Sequence, residues 1–307
     1  MNINVLQARP LSMAYASKLP LFTAKSLASI RACSLPKVNI SSHRGVRYRH
    51  QVFRPQALIE VDTPLEPGEH GCALSLVAEE VDIGSHQVRV VRPKDEDAVL
   101  DMYINSGHEE ADPYWATLWP SSICLASLLL AETSLVAGKE VCDLGSGLGL
   151  AGVGAALAGA QQVTMCDREP LALKCIQRTA GLNGLNYLTK DMEGMQASRE
   201  SFVSTAVLDW DDEEPDVGKF DVVLACDVLY QAAAVAPLAQ IVPKLLARDG
   251  MLILADPPER TPENRRNFVK MVNGILDKSF SHRIVYNGQE HELCVMHFGF
   301  GNALEKC

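Results

Sequence analysis

The chain has 307 residues, 47% of them apolar and 21% charged, which is enough to bury a sizeable core and excludes wholesale disorder. Its nine cysteines contain no C-x-x-C pair, and Cys142, Cys166, Cys226 and Cys294 fall inside apolar runs. They read as small core residues of a reducing compartment, against a disulfide framework or a cysteine zinc cluster. The net charge of −10 is unevenly divided: residues 1–56 carry nine Lys/Arg and no Asp/Glu, leaving 19 bases against 38 acids in the other 251 residues. A body of that sign repels nucleic-acid phosphates and favours basic partners.

Residues 1–56 hold seven serines, scattered bases and no continuous apolar stretch. That composition is the mark of an organellar transit peptide rather than a secretory signal, and predicts a disordered leader. Ile30-Arg31-Ala32-Cys33 resembles a plastid processing site, and the first 30 residues hold a single arginine. The chloroplast stroma is therefore expected over the mitochondrial matrix. The uncharged run Pro113 to Ala131 is broken by Pro120, and its strongly apolar part is far short of the ~20 residues a bilayer demands.

Two strand-like runs, Ala73–Val81 and Gln87–Arg92, flank Gly84-Ser85 as a hairpin. Residues 57–112 are read as a small N-terminal β lead-in without catalytic features, and 113–307 as the principal domain. From Lys139 the pattern alternates. Glu140–Leu144 is a short strand, followed by a glycine-rich turn and a small-residue helix over Leu150–Ala160. Gln162–Cys166 is a second strand ending in Asp167. Pro170 suits the first turn of the next helix, with Leu173, Ile176 and Ala180 on its apolar stripe. Further strands are expected at Ala206–Leu208, Phe220–Ala225 and Met251–Ala255, and helices at Val235–Leu246, kinked by Pro243, and Pro262–Leu276. His282–Tyr286 and Leu293–Phe300 close the chain around an Asn287-Gly288 turn, and residues 190–201 read as a surface loop. Alternating strands and helices predict a mostly parallel sheet covered on both faces, with an antiparallel edge added by the closing hairpin.

The chemistry concentrates in Asp143-Leu144-Gly145-Ser146-Gly147-Leu148-Gly149. A strand running into glycines that open a helix lets backbone approach a ligand and aims free helical N–H groups at it. Asp167 closes the next strand, 20 residues after Gly147, where a carboxylate can accept both ribose hydroxyls. Two ligands fit. Gly147-x-Gly149-x-x-Gly152 with Asp167 matches the dinucleotide fingerprint of NAD. S-adenosyl-L-methionine, a nucleoside carrying an amino acid, fits better with Asp143, because a carboxylate suits an ammonium or sulfonium and not a pyrophosphate. The eight histidines show no H-x-x-x-H or H-x-H pairing, so no metal site is expected. Neither G-x-S-x-G nor G-x-x-x-x-G-K-[S/T] occurs.

Four blocks in order resemble the class I, seven-strand S-adenosylmethionine-dependent methyltransferases, and more narrowly the methyltransferase-like protein-lysine methyltransferases of family 16. They are Tyr114-Trp115-Ala116-Thr117-Leu118-Trp119-Pro120, the Asp143–Gly149 motif, Leu208-Asp209-Trp210, and the D-x-x-Y motif Asp227-Val228-Leu229-Tyr230. The resemblance spans roughly residues 112–307. It implies a Rossmann-like α/β fold with a seven-stranded, mostly parallel sheet and an antiparallel C-terminal edge strand. It implies that Trp119, Gly145, Ser146, Gly147, Asp167, Trp210 and Cys226, with Asp143, line a pocket for S-adenosyl-L-methionine; Cys226 stands where family members often have alanine. Asp227 and Tyr230, just past a strand end, are the implied catalytic pair that orients an acceptor amine. The implied acceptor is a protein lysine in a basic segment, with no nucleic acid or membrane as partner and the enzyme expected to be a monomer. Tyr114-Trp115-Ala116 and Asp256-Pro257 lean toward the branch that modifies the electron-transfer flavoprotein β subunit, from which the long 185–205 segment departs; no substrate is carried over.

Overall fold

The computed structural model describes residues 51–53, 55–65, 73–108, 111–188 and 201–300. Residues 1–50 of the leader, and the 190–201 loop apart from Ser201, lie outside the described residues. The leader is expected to reach residue 56, and its described residues 51–53 and 55–56 lie in strands. Strands β1 (Gln51–Phe53) and β2 (Pro55–Leu65) already belong to sheets. The β-prone Val52-Phe53 pair lies along the open backbone edge of a neighbouring strand.

The expected hairpin is present as β3 (Leu74–Ile83) and β4 (His86–Pro93), and β2 completes a three-stranded antiparallel sheet. This lead-in also holds a helix that the sequence reading missed, α1 (Glu96–Asn105). Its signal was local: Asp95 accepts from the Asp97 N–H at 3.0 Å as N-cap, and Val99, Met102 and Tyr103 form the buried stripe. A single turn of 3₁₀ helix at Pro113–Ala116 leads into α2 (Pro120–Ala131), which is buried nearly all round.

The main sheet is built from β5 (Glu140–Leu144), β6 (Gln162–Asp167), β7 (Asn186–Tyr187), β8 (Phe202–Val207), β9 (Phe220–Cys226), β10 (Leu246–Asp256), β11 (Ile275–Tyr286) and β12 (Gln289–Gly299), with β1 at one edge. Its order is β1-β11-β12-β10-β9-β5-β6-β8-β7. Among the described residues this sheet has nine strands, the expected seven with β1 and the two-residue β7 added at the edges. The antiparallel C-terminal strand is not at the edge. β12 is inserted between β10 and β11 and runs antiparallel to both.

Alternation along each strand assigns the two faces. Cys142, Leu144 and Cys166 pack with Val223, Ala225, Leu252 and Leu254 beneath α5 (Val235–Leu245) and α6 (Pro262–Met271). The Cys142 and Cys166 sulfurs lie 3.8 Å apart, as core residues. On the other face Met165 meets α3 (Leu150–Leu157), where a Cβ on Gly152 would come within 2.8 Å of its side chain. α3 in turn lies so close to α2 that a Cβ on Gly154 would sit 2.7 Å from Ala126. α4 (Pro170–Leu182) covers β6 and reaches β4, where Thr179 Oγ1 accepts from the Val91 N–H at 2.9 Å. α6 stops at Met271, five residues before the expected end at Leu276. Gly274 lies under the Phe300 ring, and the chain turns there into β11.

Candidate functional site

The sheet order reverses at β5, whose neighbours are β6 on one side and β9 on the other. Ligands of open α/β sheets bind at the carboxyl ends of strands at such a point. A cavity of about 470 Å³ opens there, inside the usual range for small-molecule sites. All ten residues singled out from the sequence line it: Trp119, Asp143, Gly145, Ser146, Gly147, Asp167, Trp210, Cys226, Asp227 and Tyr230.

The glycine turn forms one wall. Gly145, Gly147 and Gly149 have φ of 67°, 51° and 76°, the left-handed region that glycine enters freely. At Gly145 space is also limiting, since a Cβ would lie 2.8 Å from the Trp210 ring and 3.0 Å from Val228. The Ser146 N–H donates to the Cys166 carbonyl at 2.9 Å, while Ser146 Oγ is buried without a hydrogen-bond partner among the described residues. One Asp143 oxygen accepts from the Gly152 N–H at 2.8 Å, in the first turn of α3. Burial pushes this carboxyl up to about 7. Asp167 accepts from the Gly147 N–H at 2.8 Å and the Glu169 N–H at 3.0 Å, tying the end of β6 to the turn. Burial outweighs these bonds and raises its pKa.

The opposite wall carries Asp227 and Tyr230. Asp227 has φ of 59°, a conformation costing about 1–2 kcal/mol for an L-residue and best tolerated by Asp or Asn. Its N–H donates to the Ala255 carbonyl at 2.9 Å, which fixes this corner against β10. Ser121 Oγ donates to Asp227 Oδ2 at 3.2 Å, and Arg260 forms an ion pair with Oδ1. The same guanidinium lies over the Trp119 ring, 5.1 Å from its centroid. Trp119 is held by its Nε1–H, which donates to the Tyr114 carbonyl at 3.0 Å. The Tyr230 hydroxyl donates to Asp112 Oδ2, and burial together with that carboxylate raises the phenol well above its ordinary pKa. Tyr114 packs edge-on against both Trp119 and Tyr230. Cys226 Sγ lies 3.7 Å from the Ser121 carbonyl, and burial drives its thiol upward, so it is an inert wall.

Sequence reasoning missed Asp112, Tyr114, Ser121 and Arg260. Asp112 is the last residue of a lead-in read as free of catalytic features, although an acid before Pro113 is a visible helix-cap signal. Arg260 carried no local signal, because only the turn after β10 brings it to Asp227. Trp115 is buried, and its Nε1–H donates to Tyr103 Oη at 3.0 Å. Among the described residues no group of three or more His, Cys, Asp or Glu could hold a metal, and no helix is long and apolar enough to cross a membrane.

A family model described as lysine methyltransferase matches residues 104–274. The electron transfer flavoprotein beta subunit lysine methyltransferase of Mus musculus is 35% identical over 123 residues, 39% of this chain and 40% of that protein. Protein N-lysine methyltransferase METTL21A of Danio rerio is 31% identical over 144 residues, 46% of this chain and 59% of that protein. The chain therefore spans between 40% and 59% of the length of these two relatives. Among solved structures, magnesium protoporphyrin IX methyltransferase of Synechocystis PCC 6803 with bound SAM aligns with a TM-score of 0.41 and 18% identity, over 67% of this chain and 97% of that one.

Proposed function

Because this chain belongs to the lysine methyltransferase family, we propose that it transfers a methyl group from S-adenosyl-L-methionine to the ε-amine of a lysine in a protein. One observation carries the reading: a single cavity is lined by both the glycine turn and the D-x-x-Y pair. A nucleoside-binding end and an amine-binding end therefore share one hollow.

The residues fit the donor. Ser146 Oγ is buried without a partner among the described residues, ready for a polar ligand group. Gly145 has no side chain where the Trp210 ring closes over the turn. Trp119, Asp143, Gly145, Ser146, Gly147, Asp167, Trp210 and Cys226 would hold it. When bound, S-adenosyl-L-methionine supplies an electrophilic methyl group on a sulfonium. The chain's own task is then to present an unprotonated amine in line with it. A lysine of pKa ~10.4 is neutral in only about one molecule in 2,500 at pH 7, a handicap of ~4.6 kcal/mol. Asp227 accepts hydrogen bonds from the amine and Tyr230 orients it. The proton leaves to water, since an ordinary carboxylate is a weak base.

We propose a basic segment of a partner protein as the acceptor. Asp209 and Asp211 line the cavity, and Asp212, Glu213, Glu214 and Asp216 follow them, exposed, along one loop. That loop attracts cationic chains and repels nucleic acid. The relatives' names make the electron transfer flavoprotein β subunit the first acceptor to assay. We further propose that residues 1–56 act as a transit peptide, that residues 113–307 carry the chemistry, and that the enzyme is a monomer of the chloroplast stroma.

Incubation of the protein with tritiated S-adenosyl-L-methionine and stromal or matrix extracts, followed by mass-spectrometric site mapping, tests the reading. Methylated lysine is expected, and Asp227→Asn should abolish transfer while S-adenosylhomocysteine still binds. Saturable NAD(H) binding without S-adenosylhomocysteine binding would favour an oxidoreductase instead. Sequencing the mature N-terminus tests import, because an intact Met1 in a cytosolic fraction refutes it.

A further inference from the structure

We propose that Arg260 occupies the place of the acceptor amine, and that its displacement decides which amines are methylated. This inference rests on the methyltransferase reading above and extends it to the class of acceptor. A carboxylate beside an aromatic face is the pair that recognises an alkylammonium. In this site that pair is Asp227 and Trp119, and Arg260 engages both. The Asp227 side chain is only 3% exposed, covered by Ser121 on one oxygen and Arg260 on the other, whereas the Arg260 side chain is 33% exposed. Arg260 is thus the more exposed partner of the pair and shields the Asp227 carboxylate from solvent.

The backbone that carries Arg260 is clamped on both sides. Arg265 donates to the Pro257 carbonyl at 3.1 Å and the Pro258 carbonyl at 2.8 Å, and pairs with buried Asp256 at 2.7 Å. Thr261 Oγ1 and Asn264 Nδ2 donate to the Leu229 carbonyl at 2.9 and 2.8 Å. The side chain, and not the loop, is therefore the part that moves. A tethered guanidinium competes at high effective concentration. A free alkylamine offers one charge in exchange for one already present, and loses. A lysine within a protein segment adds contacts along the acidic 209–216 loop and can displace it. The acceptor class is accordingly a macromolecular lysine, with small free amines rejected.

Arg260→Gln tests this, since glutamine keeps a hydrogen-bond donor for Asp227 and removes the competing cation. The probe is lysine blocked at both ends, Nα-acetyl-lysine N-methylamide, with tritiated S-adenosyl-L-methionine. Wild type is expected to methylate it barely, and the variant at a kcat/KM higher by about tenfold or more, as removal of a conformational competitor predicts. An equal or lower kcat/KM in the variant overturns the inference and makes Arg260 a support for Asp227. In parallel, the Arg260 Nε–H resonance of the S-adenosylhomocysteine complex should stay unchanged with the blocked lysine. Its disappearance at low concentrations of the probe would also overturn the inference. Calorimetry with S-adenosylhomocysteine separates the two failures. No binding by wild type removes the methyltransferase reading and this inference together. Binding without gain in the variant removes this inference alone.

Discussion

Tyr230 gives its phenolic hydrogen to Asp112, so the phenol oxygen offers only lone pairs to anything that enters the cavity. That polarity suits an amine, which arrives with N–H donors. Tyr230→Phe is expected to lower kcat/KM by about tenfold to a hundredfold, on the scale of one lost positioning contact. Asp112→Asn should act through the same phenol. Its other oxygen accepts from the Tyr114 N–H at 2.9 Å, a cap that asparagine preserves. In a double-mutant cycle the combined variant should be no worse than Tyr230→Phe alone. Full additivity would show that Asp112 works independently of Tyr230.

Asp143 makes stability and ligand affinity pH-dependent in opposite senses. Unfolded, the carboxyl titrates near 4; folded, burial moves it up to about 7. Across that window the folded chain keeps a proton the unfolded chain has lost, so stability falls as pH rises from about 4 to about 7. Asp143→Asn should therefore raise the Tm relative to wild type at pH 8, with the difference gone at pH 4. A ligand that places its α-ammonium against Asp143 favours the ionised form. Wild-type affinity for S-adenosylhomocysteine should rise on the order of fivefold to tenfold between pH 6 and pH 8, and that of Asp143→Asn should stay flat. Calorimetric titrations at the two pH values decide it.

The three glycines of the turn are not equivalent. A Cβ added at Gly147 would meet nothing nearer than the Trp115 carbonyl at 3.5 Å, whereas at Gly149 the Ile176 and Met165 side chains would be at 2.8 Å. Gly147→Ala should lose only the left-handed backbone penalty, about 1–2 kcal/mol. Gly145→Ala and Gly149→Ala add a clash and should lose a further 1–3 kcal/mol, roughly the scale of overpacking. Urea unfolding of the three variants ranks them, and a larger loss at Gly147 than at the others would contradict this geometry.

Arg265 holds the turn after β10 through a carboxylate that is 0% exposed. Arg265→Leu strands Asp256 and should destabilise the fold by about 3–5 kcal/mol, while Asp256→Leu with Arg265→Leu should be milder. Chemical denaturation of the single and double variants measures both.

Much of the site was legible because it is local. Glycines between a strand and a helix and an acid at the end of the next strand carry their chemistry within a few residues, whereas the D-x-x-Y pair was legible only through the family resemblance. The parallel strands were legible for the same reason, as short apolar runs bounded by turns. What escaped was set by distance along the chain. Nothing near Arg260 announces Asp227, and the insertion of β12 between β10 and β11 depends on pairing, not on periodicity. The edge strands β1 and β7 escaped because two or three residues hold no pattern. The helix α6 was overextended because its end is fixed by Gly274 against Phe300, a tertiary contact.

The position of β12 bears on how the protein is made. Its central register partners on β10 and β11 are joined only when β12 arrives, and Gln51 pairs with Ile284, 233 residues further along the chain. During translation the bare flank of β10 must wait until β12 has been made. Such late, long-range closure folds slowly and leaves a strand edge open to other nascent chains. Synthesis of this protein should therefore lean on chaperones until the β11–β12 hairpin has emerged.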